Sequence, residues 1–173
     1  MTEHTVRSFS QDLEELTGDL ARMGGLAEDM LSDAIQAIAT RDLALAETVV
    51  ARDPQIDNLQ VEAEKKILRL LALRQPLARD LRQTISALKI ASELERIGDL
   101  AKSIAKRVKL VDKIEAPSAL KGVARMGKLV NAQLKRVLDA YSALETDAAG
   151  KVGSRDEEVD GHYQSVFREV VTY

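Results

Sequence analysis

The chain contains no cysteine and no tryptophan, and aromatic residues make up only 3% of its 173 positions. Without cysteine, disulfides, thiolate metal sites and a cysteine nucleophile are all excluded. Apolar residues nevertheless account for 45% of the chain. The core must therefore be built from leucine, isoleucine, valine, alanine and methionine, a set that suits packed helices.

Long hydrophobic runs, strand patterns and a dominant charge are also missing. No apolar run approaches the roughly 20 residues that span a bilayer, and the polar, acidic N-terminal stretch is not a signal peptide. No segment alternates apolar and polar residues as a strand would. The net charge of −3 combines both signs, which does not indicate nucleic-acid binding. We expect an all-α cytoplasmic protein with no transmembrane segment and no nucleic-acid partner.

Apolar spacing predicts long helices separated by few breaks. Apolar residues from Phe9 to Ala34 recur at alternating steps of four and three, as in a bundle helix. Asp53-Pro54 is predicted to cap a new helix, and Gln75-Pro76 to end it. A connector is predicted at 112–118, and a loop or a poor helix at 146–154. The predicted helices are 7–39, 43–52, 54–73, 77–110, 119–144 and 156–173.

The two halves of the chain resemble each other when one is shifted by 103 residues. Met23-Gly24 then aligns with Met126-Gly127, and ten positions of residues 23–57 are identical to their counterparts. A repeat of this kind predicts two similar structural units. We expect two antiparallel three-helix bundles, residues 1–112 and 118–173, the second lacking its final helix. We expect self-association to cover the apolar face that such a bundle leaves open, so the chain is predicted to be a homo-oligomer.

The central predicted helix carries two carboxylates on one face. Glu95 and Asp99 are four residues apart and lie opposite the apolar stripe around Ile97. Upstream, the same face is apolar and includes Leu81 and Ile85. We therefore expect this helix to have two buried faces, with the carboxylates continuing the second one.

A second pair of carboxylates is expected to meet the first across the bundle. Asp57 precedes Pro76 by the same number of positions as Glu95 follows it, which places both about 28 Å from the turn. Asp53 lies one helical turn before Asp57. Four carboxylates suit a hard cation such as magnesium or calcium, and would also hold iron or zinc.

These carboxylates also have purely structural interpretations. Asp53 suits a helix N-cap and Asp57 a first turn, while Glu95 and Asp99 have Lys102 and Lys106 within reach for salt bridges. Catalytic motifs are absent: neither His4 nor His162 belongs to Glu-x-x-His or His-Glu-x-x-His, and no glycine-rich phosphate loop is present. We therefore expect no enzyme. A metal-dependent enzyme, a metal-storage bundle and a plain structural bundle remain the alternatives.

Several stretches resemble the PhoU family of phosphate-signalling proteins. The longest is LLALRQPLARDLRQTISALKIASELERIGDLAKSIAKR, residues 70–107, and HTVRSF, MGGLAEDML and RDPQID also resemble that family. The resemblance implies two similar three-helix bundles. It also implies a negative regulator of the phosphate-starvation response, which connects a phosphate ABC transporter ATPase to a membrane sensor histidine kinase at the inner face of the membrane.

The same resemblance implies metal sites built from Glu/Asp-x-x-x-Asp motifs. Carried onto this sequence, the motif residues are Asp53, Asp57, Glu95, Asp99, Asp156 and Asp160. In the family, the later repeat has its own counterpart of the Glu95–Asp99 motif. In the numbering of this sequence it would fall near position 198, outside this chain. The resemblance therefore implies one four-carboxylate metal site in the first repeat and leaves a second site in doubt.

Overall fold

The computed structural model describes residues 2–111, 117–143, 145–153 and 156–172. The helices are α1 Thr2–Thr40, α2 Leu43–Arg74, α3 Ala78–Lys106, α4 Val108–Val111, α5 Pro117–Ser142, α6 Thr146–Gly153 and α7 Asp156–Thr172. The described residues contain no strand, which confirms the all-α prediction. None of the helices in these ranges is long and apolar enough to cross a membrane. The predicted connector at 112–118 lies largely outside the described residues.

The first three long helices form an antiparallel bundle in which each contacts the other two. The predicted seam of α1 is its core-facing stripe, since its central members are at most 1% exposed: Leu16, Leu20, Met23, Ala27, Met30 and Ala34. α3 contributes mostly small residues, namely Thr84, Ala87, Ala91, Leu94, Gly98, Ala101 and Ala105. A Cβ at Gly98 would lie 3.0 Å from the side chain of Ile56. Small residues therefore let α3 approach both neighbours closely.

α5 packs against α1 through two reciprocal glycine contacts. A Cβ added to Gly24 would lie 2.6 Å from Leu138, and one added to Gly127 would lie 2.5 Å from Ile35. Gly24 and Gly127 are equivalent under the 103-residue shift, and so are Ile35 and Leu138. The repeat is therefore visible in the packing, with each copy placing an apolar side chain from the equivalent position over the other's glycine. α6 and α7 pack on α5.

The observed helices differ from the prediction most at Pro54 and after Lys106, and by a few residues at other helix ends. α2 runs without a break through Pro54, so the predicted separate helices 43–52 and 54–73 are wrong. Proline in a helix interior costs one backbone hydrogen bond, and the tertiary contacts of α2 outweigh that cost. Residues 146–154, predicted as a loop or a poor helix, contain the short helix α6, and the helix predicted to reach residue 110 ends at Lys106.

The prediction that α3 has two buried faces is also wrong. Leu81 and Ile85 remain 39% and 37% exposed, and Asp99 further along the same face is exposed. In a bundle of three helices α3 packs mainly on α1 and α2, and one narrow stripe of small residues is enough for both. The edge opposite Ile97 is therefore left at the surface.

Candidate metal centre

The predicted metal ligands of the first repeat lie where α2 and α3 run side by side. Asp53 is buried, with 7% of its surface exposed. Glu95 is half-buried, and Asp57 and Asp99 are exposed. Asp53 lies inside α2, so it is not an N-cap. That role belongs to Asp42, whose carboxylate accepts a 2.9 Å hydrogen bond from the backbone N–H of Leu45.

Lys102 on α3 occupies the centre of this cluster. Its Nζ donates to Asp53 Oδ2 at 2.6 Å and to Asp99 Oδ1 at 3.0 Å. The hydrogen bond to Asp53, followed by that to Asp99, raises the pKa of Lys102. The predicted Asp99–Lys102 pair is therefore present. The bond from Lys102 to Asp53 across the bundle was not predicted, although Lys102 follows Asp99 by three residues and so lies on the same face.

Glu95 shares the electrostatic environment of the other three carboxylates. Its pKa is raised, first by burial and then by the negative charges of Asp99, Asp57 and Asp53. The second oxygen of Asp53, Oδ1, is buried and has no hydrogen-bond partner among the described residues. Lys102 thus bonds to two of the four carboxylates and leaves one buried oxygen of Asp53 without a partner among the described residues.

The arrangement as it stands is an ion-pair network and not a ready-made metal site. Within the described ranges, no group of three or more His, Cys, Asp or Glu side chains is placed to hold a metal ion. The donors nevertheless fit a hard cation, because all four offer carboxylate oxygens and Asp53 Oδ1 has no partner. A metal ion would have to replace the Lys102 ammonium. Metal binding here stays a prediction.

The second repeat does not assemble a comparable cluster in the described part of the chain. Asp160 lies on α7 and is exposed, while the side chain of Asp156 lies outside the described residues. α7 packs on α5, and no described helix covers it as α3 covers α2. Among the described residues, Asp160 therefore belongs to no group of carboxylates that could hold a metal ion.

Two further ion pairs, which sequence reasoning missed, tie α1 to α2. Arg52 Nη1 donates to Asp33 Oδ2 at 2.6 Å, and Lys66 pairs with Asp19, which also pairs with Arg22. Burial raises the pKa of Asp19, but the hydrogen bonds and positive charges of Lys66 and Arg22 outweigh burial, so the pKa is lowered overall. Such pairs carry no spacing signal in the sequence, because their members lie on different helices.

Comparison with known proteins identifies the family that shares this architecture. A family model described as the PhoU domain matches residues 20–108 and 123–173. A phosphate-specific transport system accessory protein PhoU homolog from Caulobacter vibrioides is 53% identical over 174 residues, covering 100% of this chain and 76% of that protein. A homolog of the same description from Rhizobium meliloti is 40% identical, over 98% of this chain and 72% of its own length.

A solved structure shares the fold in detail. The crystal structure of PhoU from Pseudomonas aeruginosa superposes with a TM-score of 0.91 at 37% identity, covering 95% of this chain and 79% of that one. The two stretches matched by the family model fall in the two halves related by the 103-residue shift. The duplicated helical architecture predicted from the sequence is therefore confirmed.

Proposed function

Because this chain belongs to the PhoU family, we propose that it is a non-enzymatic regulator of phosphate uptake and of the phosphate-starvation response. The observation that carries the proposal is the 53% identity to the Caulobacter vibrioides accessory protein over the whole of this chain. Likeness of that extent covers both repeats and the carboxylate cluster together. It therefore supports a shared accessory role more strongly than the fold alone would.

We propose that the chain acts as an adaptor between two membrane-associated partners. One is the ATPase of a phosphate ABC transporter, and the other is a sensor histidine kinase whose signalling the chain restrains when phosphate is plentiful. The relatives from Caulobacter vibrioides and Rhizobium meliloti are homologs of a phosphate-specific transport system accessory protein, which supports the first partner. The adaptor is proposed to work in the cytoplasm, at the inner face of the membrane.

Complementation tests this role directly. A bacterium that lacks its own PhoU-family gene would carry a reporter of phosphate-starvation gene expression, and would receive this chain on a plasmid. We expect the reporter to be active in high phosphate without the chain and repressed with it. A reporter that stays active although the folded chain is present would contradict the proposal.

We propose that Asp53, Asp57, Glu95 and Asp99 bind a metal ion that strengthens the contact between α2 and α3. Support comes from the unpartnered Oδ1 of Asp53 and from the raised pKa of Glu95, since both show negative charge that Lys102 leaves uncompensated. The ion's role is structural. It would displace the Lys102 ammonium and neutralise the cluster in its place, without taking part in a reaction.

Metal analysis of the purified protein, after dialysis against iron, zinc, magnesium or calcium, tests this site. We expect the double variant Glu95→Gln/Asp99→Asn to lose the ion that the wild type retains, because the amides keep the shape but lose the charge. Arg96→Ala is the control, since Arg96 is exposed and faces Glu93 on the same helix. Equal metal content in all three proteins, or no metal in the wild type, would contradict the proposed site. The four carboxylates would then belong only to the salt-bridge network around Lys102.

We also propose that the chain forms a homo-oligomer through its second repeat. Val137 on α5 and Val170 on α7 are 37% and 55% exposed, which supports part of the predicted open face. Leu134, also on α5, is instead buried, because it packs with the core of the first repeat. Sedimentation velocity over a concentration series should show a dimer or larger species. A monomer at every concentration would contradict this.

A further inference from the structure

Lys102 lies between the two helices that carry the candidate metal ligands. Its Nζ is 2.6 Å from Asp53 Oδ2 on α2 and 3.0 Å from Asp99 Oδ1 on α3. The ammonium therefore bridges the two helices through one oxygen of each carboxylate. A metal ion bound to Asp53 and Asp99 would bridge the same helices through the same two side chains.

This bridge leaves negative charge in the cluster. Within the described part of the chain, Asp57 and Glu95 make no ion pair. The buried Oδ1 of Asp53 also has no hydrogen-bond partner there. A single ammonium offsets only one of the negative charges that the four carboxylates carry when ionised. The cluster therefore still attracts a more highly charged ion.

The ion pairs of Asp19 show what full compensation looks like in the same bundle. Asp19 Oδ1 pairs with Arg22, and Asp19 Oδ2 pairs with Lys66. Two cations thus serve one carboxylate, and each of its oxygens has a partner. At Asp53 only one of the two oxygens has one. The incomplete compensation is therefore a property of the Lys102 cluster and not of every ion pair between these helices.

Lys102 is held where solvent reaches it. Its side chain is 26% exposed, and Asp57 and Asp99 beside it are exposed as well. Lysine has a long, flexible stem, so its ammonium can turn out into solvent while the backbone of α3 stays in place. An ion can therefore reach the four carboxylates without unfolding of the bundle.

The ammonium and a metal ion exclude each other at this position. Metal ions hold carboxylate oxygens at about 2.0–2.6 Å, so an ion on Asp53 Oδ2 would meet and repel the ammonium bonded to that oxygen. Lys102 is tethered to the site, so it competes at an effective concentration on the order of millimolar or higher. A monovalent ion brings no more charge than the ammonium does, whereas a multivalent ion brings more and can displace it.

We propose that Lys102 is a built-in competitor of metal ions, which occupies the carboxylate cluster when metal is scarce and yields only to multivalent ions. The contact between α2 and α3 then always contains a cation, either the ammonium of Lys102 or the ion that displaces it. Lys102 thereby sets the metal affinity and excludes monovalent ions, which neither carboxylate motif does by itself. The proposal rests on the proposed metal site and not on the adaptor function.

Calorimetric titration of the metal-free protein with calcium, and separately with zinc, measures this competition. Lys102→Met removes the ammonium and keeps an unbranched side chain. We expect at least one of the two ions to bind Lys102→Met about tenfold or more tightly than it binds the wild type. Lys106→Met is the matched control, because it removes one positive charge from an exposed position one turn further along α3. Its affinity should match that of the wild type.

Two further variants test whether the gain comes from the ammonium and from this cluster. Lys102→Arg keeps a positive charge within reach of Asp53, so it should keep the weaker binding of the wild type. Lys102→Met combined with Glu95→Gln/Asp99→Asn should lose the gain, because two carboxylates are then absent. Circular dichroism must show that each variant folds. If Lys102→Met does not fold without metal, Lys102→Gln replaces it, since glutamine can still donate to Asp53.

The remaining outcomes overturn the proposal in different ways. Equal affinity of Lys102→Met and the wild type for both ions would overturn the competition but leave the metal site. An equal gain in Lys106→Met or Lys102→Arg would also overturn it, because the ammonium of Lys102 would then not be the cause. Binding of neither ion by any of the proteins would overturn the competition together with the metal site. Failure of the adaptor role appears separately, as a wild type that never represses the reporter.

Discussion

The two repeats of this chain share a helical pattern but differ in how deeply the equivalent residues are buried. In the first repeat Ile56, Ala63 and Ile67 are at most 1% exposed. Their counterparts under the 103-residue shift are Val159 and Val166, which are half-buried, and Val170, which is 55% exposed. The first three are covered by α1 and α3, whereas among the described helices α7 packs mainly on α5. Apolar periodicity therefore marks the face that a helix can bury, and its neighbours decide how far it does so.

The largest expected difference comes from truncating equivalent core positions. Ile67→Ala should lower the free energy of unfolding by about 2–4 kcal/mol, because it opens a cavity between packed helices. Val170→Ala should change it by about 0.5 kcal/mol or less, as exposed sites generally do. Urea denaturation followed by circular dichroism measures both. Equal losses would mean that α7 is covered as fully as α2.

Removing the central cation of the carboxylate cluster should have the next largest effect. Lys102→Met leaves both oxygens of the buried Asp53 unpaired, so we expect the free energy of unfolding of the metal-free protein to fall. Lys106→Met, on an exposed position one turn further along α3, serves as the control. Indistinguishable unfolding curves for the two variants would show that the network contributes no stability.

The same ion pair gives a pH dependence with a definite sign. The pKa of Lys102 is raised in the folded protein, so its contribution is fully present below the unfolded pKa of about 10.4. It is lost as the pH rises from there through the folded value. As the pH rises from neutrality, the stability difference between wild type and Lys102→Met should therefore shrink only when strongly alkaline pH is reached.

The glycine crossing between α1 and α5 offers a reciprocal test of the repeat. Gly24→Ala meets the flexible tip of Leu138, whereas Gly127→Ala meets three atoms of the β-branched Ile35. We expect Gly127→Ala to cost about 1–2 kcal/mol and Gly24→Ala less, after the usual helical gain from alanine. Gly25→Ala has nothing within 4 Å and should stabilise by about 0.5–1 kcal/mol. Stabilisation by all three would mean that the helices do not cross closely.

The smallest expected effect comes from Glu95. Its pKa is raised in the folded state, so its ionisation destabilises the metal-free protein as the pH rises above about 4.3, the unfolded value. Glu95→Gln should therefore raise the melting temperature slightly at pH 7 and leave it unchanged near pH 3. With a bound metal ion the sign at pH 7 reverses, because the variant loses a ligand. A lower melting temperature for metal-free Glu95→Gln at pH 7 would contradict the repulsion described here.

Much of the fold could be predicted from spacing alone. The α1 seam, the break at Thr40–Asp42 and the relation between Gly24 and Gly127 follow from patterns within one helix or between the two halves. The misplaced break at Pro54 shows the limit of local signals. Proline marks a common helix start, but the sequence does not show how much packing holds α2 straight across that position.

The candidate site shows a different limit. Helical rise correctly brought Asp53, Asp57, Glu95 and Asp99 to one region, because the turn at Pro76 fixes the register of α2 and α3. Which charge compensates them depends on side-chain reach between helices. Lys102 bonds to Asp53 across the bundle, and no spacing rule within either helix predicts that bond.

Native-state hydrogen exchange compares the two repeats most directly, because it reports the opening of each helix separately. The backbone amides around Ile56 to Ile67 in α2 should exchange only on global unfolding. Those around Val159 to Val170 in α7 should exchange at least about 100-fold faster, since few packed side chains hold that helix. Equal protection in α2 and α7 would contradict the account, because it would show that the second repeat buries its apolar face as completely as the first.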